Sequence, residues 1–326
     1  MDNIKIANTK YGQFAYLGNE EYIGHSLSQG RSWEESLVEC VKPYVTGKVV
    51  LDIGAHIGTH TVPYAKHAKQ VYSFEPQEAI FKLLTFNIKA NGLENVTLFN
   101  NCVGHENRLC NISSKFNDST SCGKPINYRS DIPANYGGVQ LGEGGQETQM
   151  IAIDDLQLDK VDYMKVDVEG AENLVFYGAR QTISRCLPTI LYERNYKTIT
   201  DEMIKNLKLR DHVCDFSILD YCRKLGDFCV QKMENDNYLL TFDHHSSWLE
   251  SMKNASLSCQ GHDIALRVSN EGNYQVDIPD RGIWRLISLP DNGKKRIRMI
   301  QDEQFIDGNY YHEGIVWDNC VIWGIE

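Results

Sequence analysis

Asp52-Ile53-Gly54-Ala55-His56-Ile57-Gly58 is the stretch whose reading decides the fold. The apolar run Val49-Val50-Leu51 precedes it, and a segment able to form a helix follows it. The order is strand, glycine-bearing turn, helix. Glycine suits such a turn because it lets the chain turn tightly and lets backbone approach a ligand closely. Asp52 stands at the strand tip, where a carboxylate can accept from an amine or a hydroxyl. The next apolar run, Gln70-Val71-Tyr72-Ser73-Phe74, ends in Glu75-Pro76. An acidic residue at the tip of the second strand is where α/β nucleotide folds hold ribose hydroxyls. The turn is not the G-x-G-x-x-G dinucleotide fingerprint, because His56 follows Ala55 and the next glycine is Gly58. Without a pyrophosphate cradle the expected ligand carries adenosine but no phosphates, and S-adenosylmethionine fits. Asp52, Gly54, Ala55, His56, Gly58, Glu75 and Pro76 are the residues expected at it.

A third segment, Val161-Asp162-Tyr163-Met164-Lys165-Val166-Asp167-Val168-Glu169-Gly170-Ala171-Glu172, follows further along. With it the chain resembles the FkbM family of S-adenosylmethionine-dependent O-methyltransferases. That family shows a D-x-G-A-N-x-G turn, an F-E-P after the second strand and a K-x-D-x-E-G-A-E after the fourth. All three stand here in order, within a likeness running from about Gly24 to Phe242. The departure is His56, where the family has asparagine; the turn survives it, but the hold on the cofactor's methionine part changes. The resemblance implies a class I methyltransferase sheet and methyl transfer to a hydroxyl, often on a sugar.

Around these motifs the chain alternates strand and helix. Residues 1 to 23 read as irregular or β structure. A helix is predicted over Arg31–Tyr44, with strand one at Val49–Ile53 and helix one from about Thr59 to Ala68. Strand two at Val71–Phe74, helix two at Glu78–Asn91 and strand three at Val96–Asn100 follow. Asn101, Cys102 and Val103, just past strand three, are expected against the adenine. From Arg108 to Met150 the rhythm fails, and this reads as a hairpin or loop, with a substrate cover as the sharper alternative. Met150–Ile153 reads as a strand, Met164–Val168 as strand four, Ala171–Ser184 as a helix and Thr189–Tyr192 as strand five, ending in Glu193. A helix near Asp201–Leu209 and a closing antiparallel pair, Phe216–Tyr221 with Tyr238–Phe242, complete the pattern. It describes an α/β protein with a doubly wound, mostly parallel, Rossmann-like class I methyltransferase sheet.

After Asp243-His244-His245 the texture changes. Trp248, Trp284, Trp317 and Trp323 crowd the last quarter, and turns are expected at 270–273 and 290–293. The expected division is a methyltransferase domain over 1–245 and a small all-β appendage over 246–326 with a tryptophan core. That appendage would orient an acceptor glycan or build a homo-oligomer contact.

The 326 residues carry a net charge of −11, which argues against a nucleic-acid partner. No apolar stretch reaches the roughly 18 residues that span a bilayer. Residues 1–5 carry no apolar signal region, and a cytoplasmic setting is the expectation. The ten cysteines include no C-x-x-C pair and read as free thiols.

Methyl transfer from a sulfonium needs an aligned acceptor, exclusion of water and removal of a proton. A sugar hydroxyl is a weak acid, so a base or a metal is required. Asp167, Glu169 and Glu193 fall at strand ends and are the candidate catalytic residues. Asp167 is the first candidate base, and with Glu193 a candidate Mg²⁺ ligand. The competing readings are plain ones. Glu172 stabilises a helix dipole, Glu193 pairs with Arg194, and Trp33-Glu34 belongs to the core rather than covering the cofactor. A nicotinamide dehydrogenase is disfavoured by the missing third glycine. The alternative from another class is a carbohydrate-binding or interaction protein on a vestigial methyltransferase fold.

Overall fold

A computed structural model describes residues 3–116, 123–193, 201–225 and 228–242, and the backbone of nine strands between 257 and 323. The chain divides into two compact units, one of residues 1–216 and 231–239, the other of 217–230 and 240–326. The first unit opens with strands β1 (Ile4–Thr9) and β2 (Gly12–Leu17), an antiparallel pair that places Ile4 opposite Leu17. Helices α1 (Ile23–Ser28) and α2 (Glu35–Val45) follow. The expected start of α2 at Arg31 is displaced, because Glu34 sits in the left-handed region at φ 46° and a right-handed helix cannot run back through it.

The chain then runs through β3 (Val49–Ile53), α3 (Thr61–Ala65), β4 (Gln70–Phe74), α4 (Glu78–Ala90) and β5 (Val96–Phe99). Three strands form a side sheet: β6 (Cys102–Val103), β7 (Arg108–Ser113) and β8 (Gly144–Ile151), in the order β6-β8-β7. Strand β9 (Tyr163–Val166), helices α5 (Glu172–Gly178) and α6 (Arg180–Cys186), and β10 (Thr189–Glu193) return to the main sheet. Strands β11 (Phe228–Lys232) and β12 (Asn237–Phe242) close it, giving the order β11-β12-β10-β9-β3-β4-β5. From β10 to β5 every pairing is parallel. Strand β3 lies at the centre of these five parallel strands. The chain winds outward from it to β4 and β5, then returns to its other side with β9 and β10. Such a reversal opens a crevice beyond the carboxyl ends of the strands.

Burial explains the apolar runs. All four residues of β9 and the last four of β3 are buried, as expected of strands covered on both faces. Leu37, Val41 and Val45 of α2 pack with Tyr64, Val50, Val71, Tyr163 and Leu191. Ile80, Leu83, Leu84 and Ile88 of α4 pack with Phe14, Tyr16, Leu27 and Ile57. Asn87 on the same helix is fully buried. Its amide donates to the carbonyls of Ala15 (3.0 Å) and Ile57 (2.8 Å) and accepts from the Ala15 N–H (2.6 Å). One side chain thus ties β2, the turn after β3 and α4 together.

Three expectations are corrected. The strand expected at Met150–Ile153 begins at Gly144 and ends at Ile151, and Ile153–Leu156 is a turn of 3-10 helix. Its polar first half hid it, since β8 is specified by pairing with β7 rather than by an apolar pattern. The helix over Ala171–Ser184 is broken at Ala179 into α5 and α6. The strand expected at Phe216–Tyr221 is replaced by a helix, Ile218–Leu225. Ile218, Tyr221, Cys222 and Leu225 carry its three-and-four spacing, and the closing pair is β11 with β12.

In the second unit, seven consecutive strands from Leu266–Val268 to Cys320–Trp323 form an antiparallel meander. Leu257–Cys259 joins its far side, followed by His262–Ile264. Arg194, His244, His245, Trp248 and the turns expected at 270–273 and 290–293 lie outside the described residues, as do the side chains of Trp284, Trp317 and Trp323.

Two glycines separate backbone from side-chain constraint. Gly54 has φ 82°, and a Cβ there would lie 1.8 Å from the carbonyl oxygen of Asp167. Gly58 has φ 89°, and a Cβ there would meet the flexible end of Leu84 at 2.7 Å. Gly54→Ala is expected to cost about 3 kcal/mol or more, and Gly58→Ala about 1–3 kcal/mol, because a side-chain methyl can turn aside and a backbone carbonyl cannot. Urea denaturation of both variants measures this. Equal losses would show that the approach of β3 and β9 does not set the glycine at position 54.

Candidate active site

A cavity of about 400 Å³ opens beyond the carboxyl ends of the parallel strands in the first unit. Gly54, Ala55 and His56 line it after β3, Glu75 and Pro76 after β4, and Asn101, Cys102 and Val103 after β5. Asp167 and Glu169 line it after β9, and Glu193 at the end of β10. Trp33 and Glu34 stand in its wall, as do Asn135, Gln140, Asn235 and Asn237.

Two expected residues do not line the cavity. Asp52 is wholly buried behind the wall, where its Oδ2 accepts from the Thr61 hydroxyl at 2.6 Å. That hydroxyl also lies 3.1 Å from Ser73 Oγ. Asp52 pairs in register with Ser73 on one side and Lys165 on the other, so its side chain belongs to the sheet interior. Gly58 packs against Leu84 of α4, which makes it a helix-packing glycine. Gly54 lines the cavity, but its closest approach is to the Asp167 backbone.

Glu75 is held from two sides. Its Oε2 accepts from the His56 N–H at 3.0 Å and its Oε1 from the Gln77 N–H at 2.8 Å. The carboxylate is 3% exposed, and burial pushes it up to about 7 against those two bonds. Each oxygen keeps a lone pair for another donor. His56, at φ 50° and 7% exposed, is kept neutral by burial, its ring held down to about 4. Neither ring nitrogen has a hydrogen-bond partner.

Lys165 is the residue that sequence reasoning missed. It is 4% exposed beneath the cavity, and its ammonium donates to Asp167 Oδ2 at 2.9 Å. Burial would lower its affinity for the proton, but Asp167 and Asp52 outweigh burial and hold it raised. Its signal was the lysine two residues before Asp167 in the motif. Glu172 is not merely a dipole partner. It is buried, and its Oε1 accepts from the N–H groups of Gly170 (3.1 Å) and Val168 (3.3 Å), which folds the turn carrying Glu169. Glu169 itself stands at φ 54°.

Asp167, Glu169 and Glu193 converge, with one carboxylate oxygen from each within 4.8 Å of the others. Burial first, then the charges of Asp167, Glu169 and Glu172, push Glu193 up to about 9. The described residues between Arg108 and Met150, 108–116 and 123–150, build a wall fixed to the second strand tip. Gln77 Nε2 donates to the Tyr136 carbonyl at 3.0 Å and accepts through Oε1 from the Tyr128 hydroxyl at 3.0 Å. Gln146 Nε2 donates to the Pro76 carbonyl at 2.8 Å.

A carboxyl whose proton affinity is raised by folding favours the fold below its unfolded value, and that contribution is lost as pH rises through the folded one. For Glu193 the window runs from the ordinary 4.5 to about 9. Glu193→Gln is therefore expected to gain melting temperature relative to the wild type as pH rises from 5 to 9. Melting curves in chelator at several pH values check this; a gap independent of pH would place the Glu193 carboxylate away from its acidic neighbours.

Residues 52–218 match the family described as the methyltransferase FkbM domain. No curated protein matches the sequence. Solved structures with a similar fold include the methyltransferase FkbM from Methylobacillus flagellatus KT, at 17% identity and TM-score 0.37, over 61% of this chain and 44% of that one. The chain thus spans less than half the length of that protein. TYW2 from M. jannaschii in complex with AdoMet aligns at 18% identity and TM-score 0.34, over 73% of this chain and 83% of its own. WT Trm5b from Pyrococcus abyssi aligns at 12% identity and TM-score 0.34, over 73% and 54%. Because the family match takes in the three strand-tip motifs and just over half of the sequence, the chain belongs to the FkbM methyltransferase domain family.

Proposed function

We propose that this protein is an S-adenosylmethionine-dependent O-methyltransferase whose acceptor is a hydroxyl of a sugar or glycan. The observation that carries the proposal is Glu75: a carboxylate at the tip of β4, fixed by two backbone N–H groups, facing the cavity beside the Gly54 turn. It fits a ribose, since a carboxylate accepts from two adjacent hydroxyls. The turn before it offers no phosphate cradle. The cofactor, when bound, supplies the electrophilic methyl group. Asn101, Cys102 and Val103 would flank its adenine, and Ala55 and His56 its amino-acid end. The orphaned nitrogens of His56 support the fit, because a ligand would satisfy them.

Asp167 is proposed as the base that takes the acceptor's proton, with Lys165 orienting its carboxylate. Glu169 and Glu193 share that mouth, and Mg²⁺ held by Asp167 and Glu193 is the metal reading of the same residues. Asn135, Gln140, Asn235 and Asn237 line the cavity, and their amides suit a hydroxyl-rich acceptor. Trp33 and the wall built by residues 135–141 would keep out water. A cytoplasmic setting is part of the proposal, on the free thiols of the described cysteines, and so is the absence of a nucleic-acid partner, on the acidic charge. Among the described residues no helix is long and apolar enough to cross a membrane. The region after residue 245 is proposed to orient the acceptor or to form a contact between copies.

Glu75→Ala is expected to weaken S-adenosylmethionine binding by roughly tenfold to a few hundredfold, from the loss of charge-assisted bonds. Calorimetry with the variant, its fold checked by circular dichroism, measures this, and an unchanged affinity would remove Glu75 from the cofactor site. The acceptor class is tested by incubation with methyl-labelled cofactor and a panel of sugars and amino sugars. Label on nitrogen rather than oxygen would overturn the hydroxyl assignment.

A further inference from the structure

The cavity follows the order of the parallel strands. The segment after β5 lines it, then Glu75 after β4, then the Gly54 turn after β3, with Asp167 after β9 and Glu193 at the end of β10 beyond them. A cofactor with its adenine past β5 and its ribose at Glu75 therefore brings its amino-acid part to the tip of β3. That part carries an ammonium, and an ammonium taken out of water needs an anion. Glu75 is spent on the ribose, and the carboxylates of β9 and β10 lie towards the acceptor.

Glu34 is the carboxylate left. It stands in the cavity wall just ahead of α2, with its side chain 11% exposed. Its Oε2 lies 3.2 Å from Nε2 of His60, in the segment that follows the β3 turn, and its Oε1 accepts from the Asn235 amide at 3.3 Å. Neither partner is a permanent cation, and both oxygens keep lone pairs for further donors. Burial opposes the charge, yet the His60 ring, then Lys165 and the Asn235 amide, outweigh it and hold the carboxyl down to about 2.

Two further observations point to a ligand. Glu34 holds φ 46° and ψ 42°, uncommon for a residue with a side chain, and such conformations gather at ligand clamps. His60 is 3% exposed and lines the same cavity, and neither of its ring nitrogens is aligned with a hydrogen-bond partner, its close contact with Glu34 included. A buried pair that leaves so much polar capacity unspent is costly unless something else completes it.

We propose that Glu34 receives the α-ammonium of the cofactor, and so selects ligands that carry the amino-acid part over those that carry adenosine alone. The assignment rests on the S-adenosylmethionine reading of the cavity and fixes one end of that ligand.

The test is calorimetry on the full chain with S-adenosylmethionine, S-adenosylhomocysteine and 5′-methylthioadenosine. The second ligand lacks the sulfonium charge and keeps the ammonium; the third lacks the amino-acid part. Glu34→Gln keeps the length of the side chain and removes its charge. It is expected to weaken S-adenosylmethionine and S-adenosylhomocysteine alike, by about tenfold or more, and to leave 5′-methylthioadenosine unchanged. Glu34→Gly suits the left-handed backbone and deletes the carboxylate, so it should give the same pattern. The wild type should also bind deaminated S-adenosylhomocysteine about tenfold or more weakly than the parent, and Glu34→Gln should remove most of that difference. A loss confined to S-adenosylmethionine would place Glu34 at the sulfonium and overturn the ammonium assignment. An equal loss for all three ligands would show a structural role and overturn it as well. Unchanged S-adenosylhomocysteine affinity in both variants overturns it while the cofactor reading stands. A wild type that binds neither S-adenosylmethionine nor S-adenosylhomocysteine overturns the cofactor reading and this assignment together.

Discussion

The close approach of Gly54 to the carbonyl of Asp167 is the constraint on which the site depends. It lets the tips of β3 and β9 lie against each other past the end of regular pairing. The ladder then continues across the tips. Asp167 N–H donates to the Ile53 carbonyl at 3.1 Å, Gly54 and Ala55 both donate to Phe74, and Glu75 N–H donates to Phe99 at 3.1 Å. Four strand ends are therefore held in one frame. A frame of backbone bonds positions side chains more rigidly than loops do, and alignment of reacting groups is where methyl transfer gains most.

Onto that frame the fold places groups that folding alone would not favour. Glu75, Glu172 and Glu193 are all pushed above the ordinary carboxylate range by burial, and His56 is held below the imidazole range. Glu75 and Glu172 are answered by backbone N–H groups. Lys165 is answered by Asp167. His56 is answered by nothing in the protein. Native proteins tolerate such costs mostly at functional sites, where a ligand completes what the chain leaves open.

The described wall residues, 108–116 and 123–151, show how an irregular stretch can be fixed in place. They include the paired strands β7 and β8, and the connecting residues are pinned to the β4 tip through Gln77 and Pro76. Stacked Tyr128 and Tyr136, 5.0 Å apart between ring centres, fill the wall's interior with Phe116. A stretch rich in glycine and polar residues thereby becomes a side of the cavity without an apolar repeat.

Much of the fold was legible because its signals are local. Apolar runs ending in Asp52, Glu75 and Asp167, separated by helical spacing, specify parallel strands, and parallel strands bring their carboxyl ends to one crevice. Glu75, His56, Asp167, Glu169 and Glu193 reach that crevice for this reason alone. Which way a side chain faces at a strand tip is a different matter. Asp52 and Lys165 sit side by side in register, and their hydrogen bonds part them: the Thr61 hydroxyl claims Asp52, while Lys165 donates to Asp167 beneath the cavity. Gly58 met Leu84 rather than a ligand, and the helix Ile218–Leu225 stood where a strand was expected. A local pattern sets an element's type and order. The partner across a strand, the depth of burial and the hydrogen bond that claims a carboxylate come from residues distant in sequence, and only the folded chain brings those together.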